Sequence, residues 1–265
     1  MSIVEVGGLA VEYRQQGAAS GSDLLLLHSL LTDLSVFDDV LPVLAQAHRV
    51  TLINLPGFGA SSAAKLASVA DGADHVAHTM QALGLPPSTD VFGNGFGAFV
   101  ALKLAIRHGG RFRRLLVADT LAAFPEAARQ PFRGMAERVR AAGMQAVIDT
   151  AIGRMLPPAF QAARPDVVAA RKAALGAVDA ECFARACLAL AQLDLQPLLG
   201  GIRNPTLVMC GALDQTTPPA LAEQLAQAIP GAQYREIAGS GHCPMLEQPA
   251  LLVAMIEGFT GSRQE

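Results

Sequence analysis

Four short segments hold the residues able to do chemistry: His28-Ser29-Leu30-Leu31, Gly93-Asn94-Gly95-Phe96-Gly97, Gly211-Ala212-Leu213-Asp214 and Gly239-Ser240-Gly241-His242. Each sits at the C-terminal end of a stretch that reads as a strand. A carboxylate can hold one ring nitrogen of a histidine and leave the other free to take a proton from an attacking oxygen. Asp214 and His242 are such a pair, 28 positions apart. The glycine-rich segment around Gly95 reads as a tight turn between a strand and an Ala-rich helix. His28 stands at a strand end, where it either packs and hydrogen-bonds or joins the chemistry.

These segments need elements to position them. Val11–Gln15, Leu24–His28, Arg49–Leu55, Asp90–Gly93 and Arg114–Ala118 are strand-like, with helical stretches among them. Val69, Ala73, Val76, Met80 and Leu83 recur near a period of 3.6, and Gly97–His108 is a helix of small and apolar residues. From Leu121 to about Leu199 the strand signal stops, and short Ala- and Arg-rich helices are punctuated by Pro131, Pro157-Pro158 and Pro165. Alternation then returns with Thr206–Cys210, a helix from Pro218 to Ala228, Gln233–Ile237 and a helix from Pro249 to Phe259. Apolar strands separated by helices form a parallel sheet covered on both faces. Loops at the C-terminal edge of such a sheet converge, so the four segments are expected to meet there. The expected organisation is an α/β core of 1–120 and 200–265, interrupted by a helical cap over 121–199.

The composition limits the alternatives. The chain has 265 residues, 51% hydrophobic and 16% charged, which excludes a disordered chain and allows a sizeable core. Its net charge of -3 gives no basic footprint for nucleic acid. Cys182, Cys187, Cys210 and Cys243 form no CxxC pair, so neither a zinc module nor a disulfide scaffold is expected. Cys182 and Cys187 read as buried small hydrophobes. His75 and His78 have i, i+3 helical spacing but no evident third ligand for a metal. No basic start followed by an apolar run opens the chain, and no apolar stretch approaches the roughly 20 residues of a membrane span. A cytoplasmic protein without metal or membrane partner is expected; oligomeric state is left open.

Taken together, the motifs are similar to those of the α/β-hydrolase superfamily over nearly the whole chain. Within it the sequence resembles the 3-oxoadipate enol-lactonases. The resemblance rests on Thr32-Asp33-Leu34-Ser35, Phe160–Val168, Asn204-Pro205-Thr206, Asp214 with Thr217-Pro218-Pro219, and Gly241-His242 with Glu247-Gln248-Pro249. It implies a mostly parallel sheet flanked by helices, a helical cap inserted after the sixth strand, and a small-molecule carbonyl substrate with no cofactor. It also implies an acid, a histidine and a nucleophile on a G-x-S-x-G elbow. Asp214 would then orient His242, and the backbone amides of Leu30 and Phe96 would stabilise an oxyanion, with Ser29 and His28 beside them.

This chain departs from that pattern at the elbow, where Gly95 stands in the nucleophile's place. A non-glycine residue on such a strained turn costs about 1–3 kcal/mol, and glycine does not. The position reads as vacant, with a water filling it. Either a serine was exchanged for glycine by design, or His242 and Asp214 activate water directly. Leu31 replaces a usual glycine, and Asn54 replaces the acid of an acid-x-Pro-Gly-x-Gly turn. Enol-lactonases carry an arginine near Pro56, so their way of recognising a dicarboxylate-like substrate is altered here. The leading expectation is an ester or lactone hydrolase. A non-catalytic small-molecule-binding protein of the same fold is the alternative. A third reading takes Gly93-x-Gly95-x-x-Ala98 as a dinucleotide fingerprint, with Asp119 meeting a ribose.

Overall fold

The computed structural model describes residues 1–64 and 66–261. Among the described residues, eight strands build one sheet: β1 (Ser2–Val6), β2 (Leu9–Gln16), β3 (Ser22–Leu27), β4 (His48–Ile53), β5 (Asp90–Asn94), β6 (Leu115–Ala118), β7 (Thr206–Gly211) and β8 (Gln233–Ile237). Their order is β1-β2-β4-β3-β5-β6-β7-β8. The pairs β1/β2 and β2/β4 are antiparallel and the remainder parallel. The parallel strands are continuous apolar runs because helices cover both of their faces. Leu24, Leu25, Leu26 and Leu27 on β3, and Leu115 to Ala118 on β6, are buried whichever way they point.

The helices are α1 (Leu41–Ala47), α2 (Val69–Ala82), α3 (Phe96–His108), α4 (Glu126–Ala142), α5 (Ile148–Met155), α6 (Pro158–Ala163), α7 (Pro165–Gly176), α8 (Ala180–Ala191), α9 (Pro219–Ala228), α10 (Pro244–Glu247) and α11 (Pro249–Thr260). The 3.6-residue pattern of α2 buries Val69, Ala73, Val76 and Met80. Its start is set by a capping box: Asp71 N donates to Ser68 Oγ, and Ser68 N donates to the Asp71 carboxylate.

The strand β1 is a difference from the sequence reading. It is an edge strand, mostly exposed, so it lacks the apolar run that marks the buried strands. Its signal was the turn. Gly7 and Gly8 both have positive φ (58° and 81°) and join Val6 to Leu9, as a two-residue primed hairpin requires.

Five helices, α4 to α8, lie between β6 and β7. Arg171 on α7 ties them to the sheet-bearing part: its guanidinium donates to Asp33 Oδ1 (3.2 Å) and Ser35 Oγ (2.7 Å). Asp179 N also donates to the Gly57 carbonyl (2.9 Å). The Arg171 and Asp33 side chains are only 8% and 22% exposed, so solvent screens the pair weakly. Arg171→Ala is expected to lower unfolding stability by about 1–3 kcal/mol, the range for hydrogen bonds to charged groups, as read from the midpoint of a urea titration.

Candidate active site

The loops after β3, β5, β7 and β8 meet at the C-terminal edge of the sheet, as expected from the strand order. They bring Ser29, Gly95 and His242 together around one pocket, with Asp214 behind His242; the pocket's empty space is about 530 Å³ with its open mouth included. Its floor is Ser29, Leu30, Leu31, Gly95 and Phe96, and its walls include Phe124, Phe132, Met135 and Leu190. Arg154, from α5, is the charged group at its rim besides His242, and makes no ion pair among the described residues.

Asp214 lies in the turn after β7, three residues past the strand. Its carboxylate accepts from Thr216 N (2.7 Å), Thr217 N (3.2 Å), Thr217 Oγ1 (2.5 Å) and His242 Nδ1 (2.8 Å). The imidazole therefore carries a proton on Nδ1 and turns Nε2 away from Asp214. Burial by itself would depress His242, but the adjacent Asp214 carboxylate outweighs it and lifts the imidazole to about 9. Burial likewise works against ionised Asp214, and the His242 charge and hydrogen bond overcome it, so Asp214 falls to about 2. At neutral pH the free site thus holds an imidazolium beside a carboxylate.

Three further side chains fix this loop, and the sequence reading gave none of them this role. Glu247 accepts from Gly241 N (2.6 Å) and Cys243 N (2.9 Å), gripping the backbone on both sides of His242. Asn94 Nδ2 donates to the His242 carbonyl (3.2 Å) and to Asp119 Oδ2 (2.7 Å). Asp119 also accepts from Gly211 N (2.9 Å), tying β6 to the strand that carries Asp214. Burial first, and then the Asp214 charge, push the Asp119 carboxyl well up, toward its neutral form. Asp214 is therefore the carboxylate that holds His242 charged. Only local geometry reveals these partners, because their types and spacing match no acid–base pattern.

Asp119 is fully buried and bonded to Asn94 and Gly211, so it has no access to a ribose. Gly97 serves packing, since a Cβ there would collide with the Leu27 and His28 carbonyls. The dinucleotide reading loses the acid it needs for a ribose. Among the described residues, Asp119, Cys210 and Asp214, two acids and a thiol, are the set close enough to share a metal ion, within 4.8 Å. Asp214 is already committed to His242, and burial pushes the Cys210 thiol up, away from the thiolate a metal needs. His75 and His78 join no such set. All four cysteines are free and buried.

His28 engages both ring nitrogens with backbone. Nδ1 donates to the Ser29 carbonyl (2.8 Å) and Nε2 accepts from Leu55 N (3.0 Å). Burial drops it to about 4, so it is a neutral post for the Ser29 loop. Asn54 also has a role that an acid could not fill. It accepts from Leu34 N (2.8 Å) and donates to Glu12 Oε2 (2.7 Å), where a carboxylate would repel Glu12.

Gly95 sits between β5 and α3 at φ 52°, ψ −116°, a backbone that L side chains rarely adopt. The space beside it is not open. A Cβ at Gly95 would begin 3.0 Å from His242 Nε2, and the Ser29 hydroxyl already stands well inside contact distance of the same point. This corrects the expectation of a vacant spot filled by water. The amides of Leu30 and Phe96 border the pocket, and neither has a partner among the described residues.

Residues 24–249 match the family model described as alpha/beta hydrolase fold, and the chain belongs to that family. It is 31% identical to 3-oxoadipate enol-lactonase 2 of Acinetobacter baylyi, over 91% of this chain and 89% of that protein. It is 30% identical to a pimeloyl-[acyl-carrier protein] methyl ester esterase of Aeromonas hydrophila, over 91% and 96%. Polyketide synthase ThaQ of Burkholderia thailandensis is 31% identical over 95% of this chain, which spans only 12% of that much longer protein. Among solved structures, the enol-lactonase from Burkholderia xenovorans LB400 superposes with a TM-score of 0.93 at 28% identity, covering 98% of this chain and 100% of that one. The chain is thus an α/β hydrolase of the enol-lactonase and esterase type.

The charge state of His242 has a measurable consequence. Its folded value near 9 exceeds the unfolded value of about 6.5, so the pair's stabilisation is complete below pH 6.5 and is lost as pH rises through 9. Stability from chemical denaturation is expected to fall across that window by on the order of 3 kcal/mol. In Asp214→Asn, imidazole NMR signals should titrate well below those of the parent, because burial then loses its main opponent.

Proposed function

We propose that this protein hydrolyses a carboxylic ester or lactone whose acyl part is largely apolar. His242 is the general base, Asp214 orients it, and the Leu30 and Phe96 amides receive the developing oxyanion. Gly95 stands where relatives of this family carry the nucleophile. The helices of 121–199 act as a cap that walls the substrate off from water. The observation that carries this reading is the disposition of His242: Nδ1 is held by Asp214 at 2.8 Å while Nε2 lies within reach of an apolar pocket bordered by two unpaired amides.

The chemistry needs neutral His242, because only a free Nε2 lone pair accepts the proton of an attacking oxygen. Deprotonation to that form occurs near pH 9 in the free protein. Negative charge then accumulates on the carbonyl oxygen, where the two amides stabilise it without reorganising. The Phe and Leu walls suit an apolar body, and unpaired Arg154 at the rim suits an anionic end. The relatives' names, a 3-oxoadipate lactonase and a pimeloyl ester esterase, are compatible with such a substrate.

Hydrolysis of 4-nitrophenyl acetate is expected to show kcat/KM rising about tenfold per pH unit and levelling near pH 9. His242→Ala should abolish it, whereas saturable ester binding with no turnover at any pH would favour a purely binding protein. With a carboxylate-bearing nitrophenyl ester, Arg154→Ala should raise KM several-fold and leave kcat nearly unchanged. Equal effects on the acetate ester would remove Arg154 from substrate recognition.

A further inference from the structure

We infer that the nucleophile of this enzyme has moved to the neighbouring loop: the hydroxyl of Ser29, on the turn after β3, attacks the carbonyl in place of a side chain at position 95. The inference rests on the hydrolase reading above and names the attacking atom.

Three observations carry it. The first is position. Ser29 Oγ and His242 Nε2 both lie within 3.0 Å of the single point where a side chain at Gly95 would begin. The strands β3 and β5 are adjacent and parallel, so the turns that follow them face each other across that point. The second is the state of Ser29. Its backbone is over-determined: Ser29 N donates to Thr32 Oγ1 (3.1 Å), and its carbonyl accepts from His28 Nδ1 (2.8 Å), Thr32 N (3.3 Å) and Thr32 Oγ1 (3.2 Å). Its hydroxyl has no hydrogen-bond partner in the chain among the described residues, and it borders the pocket. A serine so rigidly held with its hydroxyl unspent matches what a nucleophile needs. The third is the oxyanion donor. A nucleophilic serine is followed by a residue whose amide supports the oxyanion. Here that residue is Leu30, whose amide is unpaired, and Phe96 supplies the second donor across the gap. The two loops have exchanged roles.

The exchange also accounts for glycine at 95. A Cβ there would displace the Ser29 hydroxyl from the place it now holds, whereas glycine leaves that place to it. Ser29 Oγ and His242 Nε2 are not hydrogen-bonded in this state. Such contacts are often long before substrate binds and tighten in its complex.

The reaction balances without any added reactant. Neutral His242 takes the Ser29 hydroxyl proton as Oγ bonds to the carbonyl carbon. The tetrahedral oxyanion collapses, the C–O bond to the alcohol breaks, and the alkoxide takes the proton from His242. The acyl group is then an ester of Ser29. Water gives a proton to His242 and attacks the acyl carbon, and Ser29 leaves with that proton restored.

The test is labelling by a fluorophosphonate, followed by peptide mass analysis, beside turnover of 4-nitrophenyl acetate. The expected adduct falls on the peptide containing Ser29 and is missing from Ser29→Ala and His242→Ala. Ser29→Ala should lose on the order of 10⁶-fold in kcat while melting like the parent. In Ser29→Gly/Gly95→Ser, activity should return with the adduct at position 95. Turnover retained by Ser29→Ala, with His242→Ala inactive, overturns the inference and leaves the hydrolase reading intact. Turnover lost in Ser29→Ala but no adduct on Ser29 in the parent also overturns it, since the hydroxyl would then only hold a water. If Ser29→Ala does not fold, the labelled peptide of the parent decides alone. No turnover by the unaltered chain overturns the hydrolase reading, and this inference with it.

Discussion

A carboxylate and an imidazolium buried side by side govern the rest of this site. Neither charge would survive burial alone: desolvation opposes the ionised form of both His242 and Asp214, and each is held by the other. Such a pair is tolerable only if the remaining acceptor positions are filled. The Asp214 oxygens are filled by the amides of Thr216 and Thr217 and by the Thr217 hydroxyl. Glu247 and Asn94 hold the His242 backbone so that the ring cannot swing out to water. The same burial drives Asp119 toward its neutral form, which spares the site a second negative charge. The polar residues around His242 thus form one structure with one consequence, a single proton whose residence on Nε2 sets the pH at which the base works.

The parallel sheet supplies the geometry. Strands β3, β5, β6 and β7 are neighbours, and each ends at the same edge. Short turns there place groups from residues 29, 95, 119 and 214 near one another at little entropic cost, because each turn is anchored on a rigid strand. The β3 turn is anchored more heavily than a loop requires. His28 uses its whole ring to join the Ser29 carbonyl to the Leu55 amide, and Asn54 links that next turn to Leu34 and Glu12. The buried polar groups at this edge fix backbone, and the side chains left over face the pocket.

Much of this was legible in the sequence. Apolar runs on β3 to β7, the period of α2, and the long stretch without strand character between β6 and β7 all follow from simple patterning, because burial on both faces and amphipathicity leave direct marks. So does the meeting of the Asp214 and His242 turns. The hairpin of β1 and β2 was marked only by Gly7-Gly8, since an exposed edge strand has no apolar run. Asn94, Asp119 and Glu247 were illegible as parts of the site. Their roles depend on which backbone groups the fold brings near them, and a lone acid or amide in sequence looks the same whether it braces a catalytic loop or faces solvent. The filling of the space beside Gly95 was illegible for a related reason: it depends on the distance between two turns 66 residues apart, and no periodicity encodes it.

That distance bears on how such a site can change. A hydroxyl at 29 and a side chain at 95 compete for the same point between the β3 and β5 turns. A serine gained at 95 first meets a collision with Ser29, on a backbone whose φ of 52° already disfavours any side chain. Loss of the elbow side chain, by contrast, relieves that strain, worth about 1–3 kcal/mol, and opens room for the neighbouring hydroxyl. The route from a nucleophile at 95 to one at 29 therefore relieves backbone strain, and the reverse route restores it. The imidazole need not move in either direction, because its Nε2 addresses the shared point and not a particular residue.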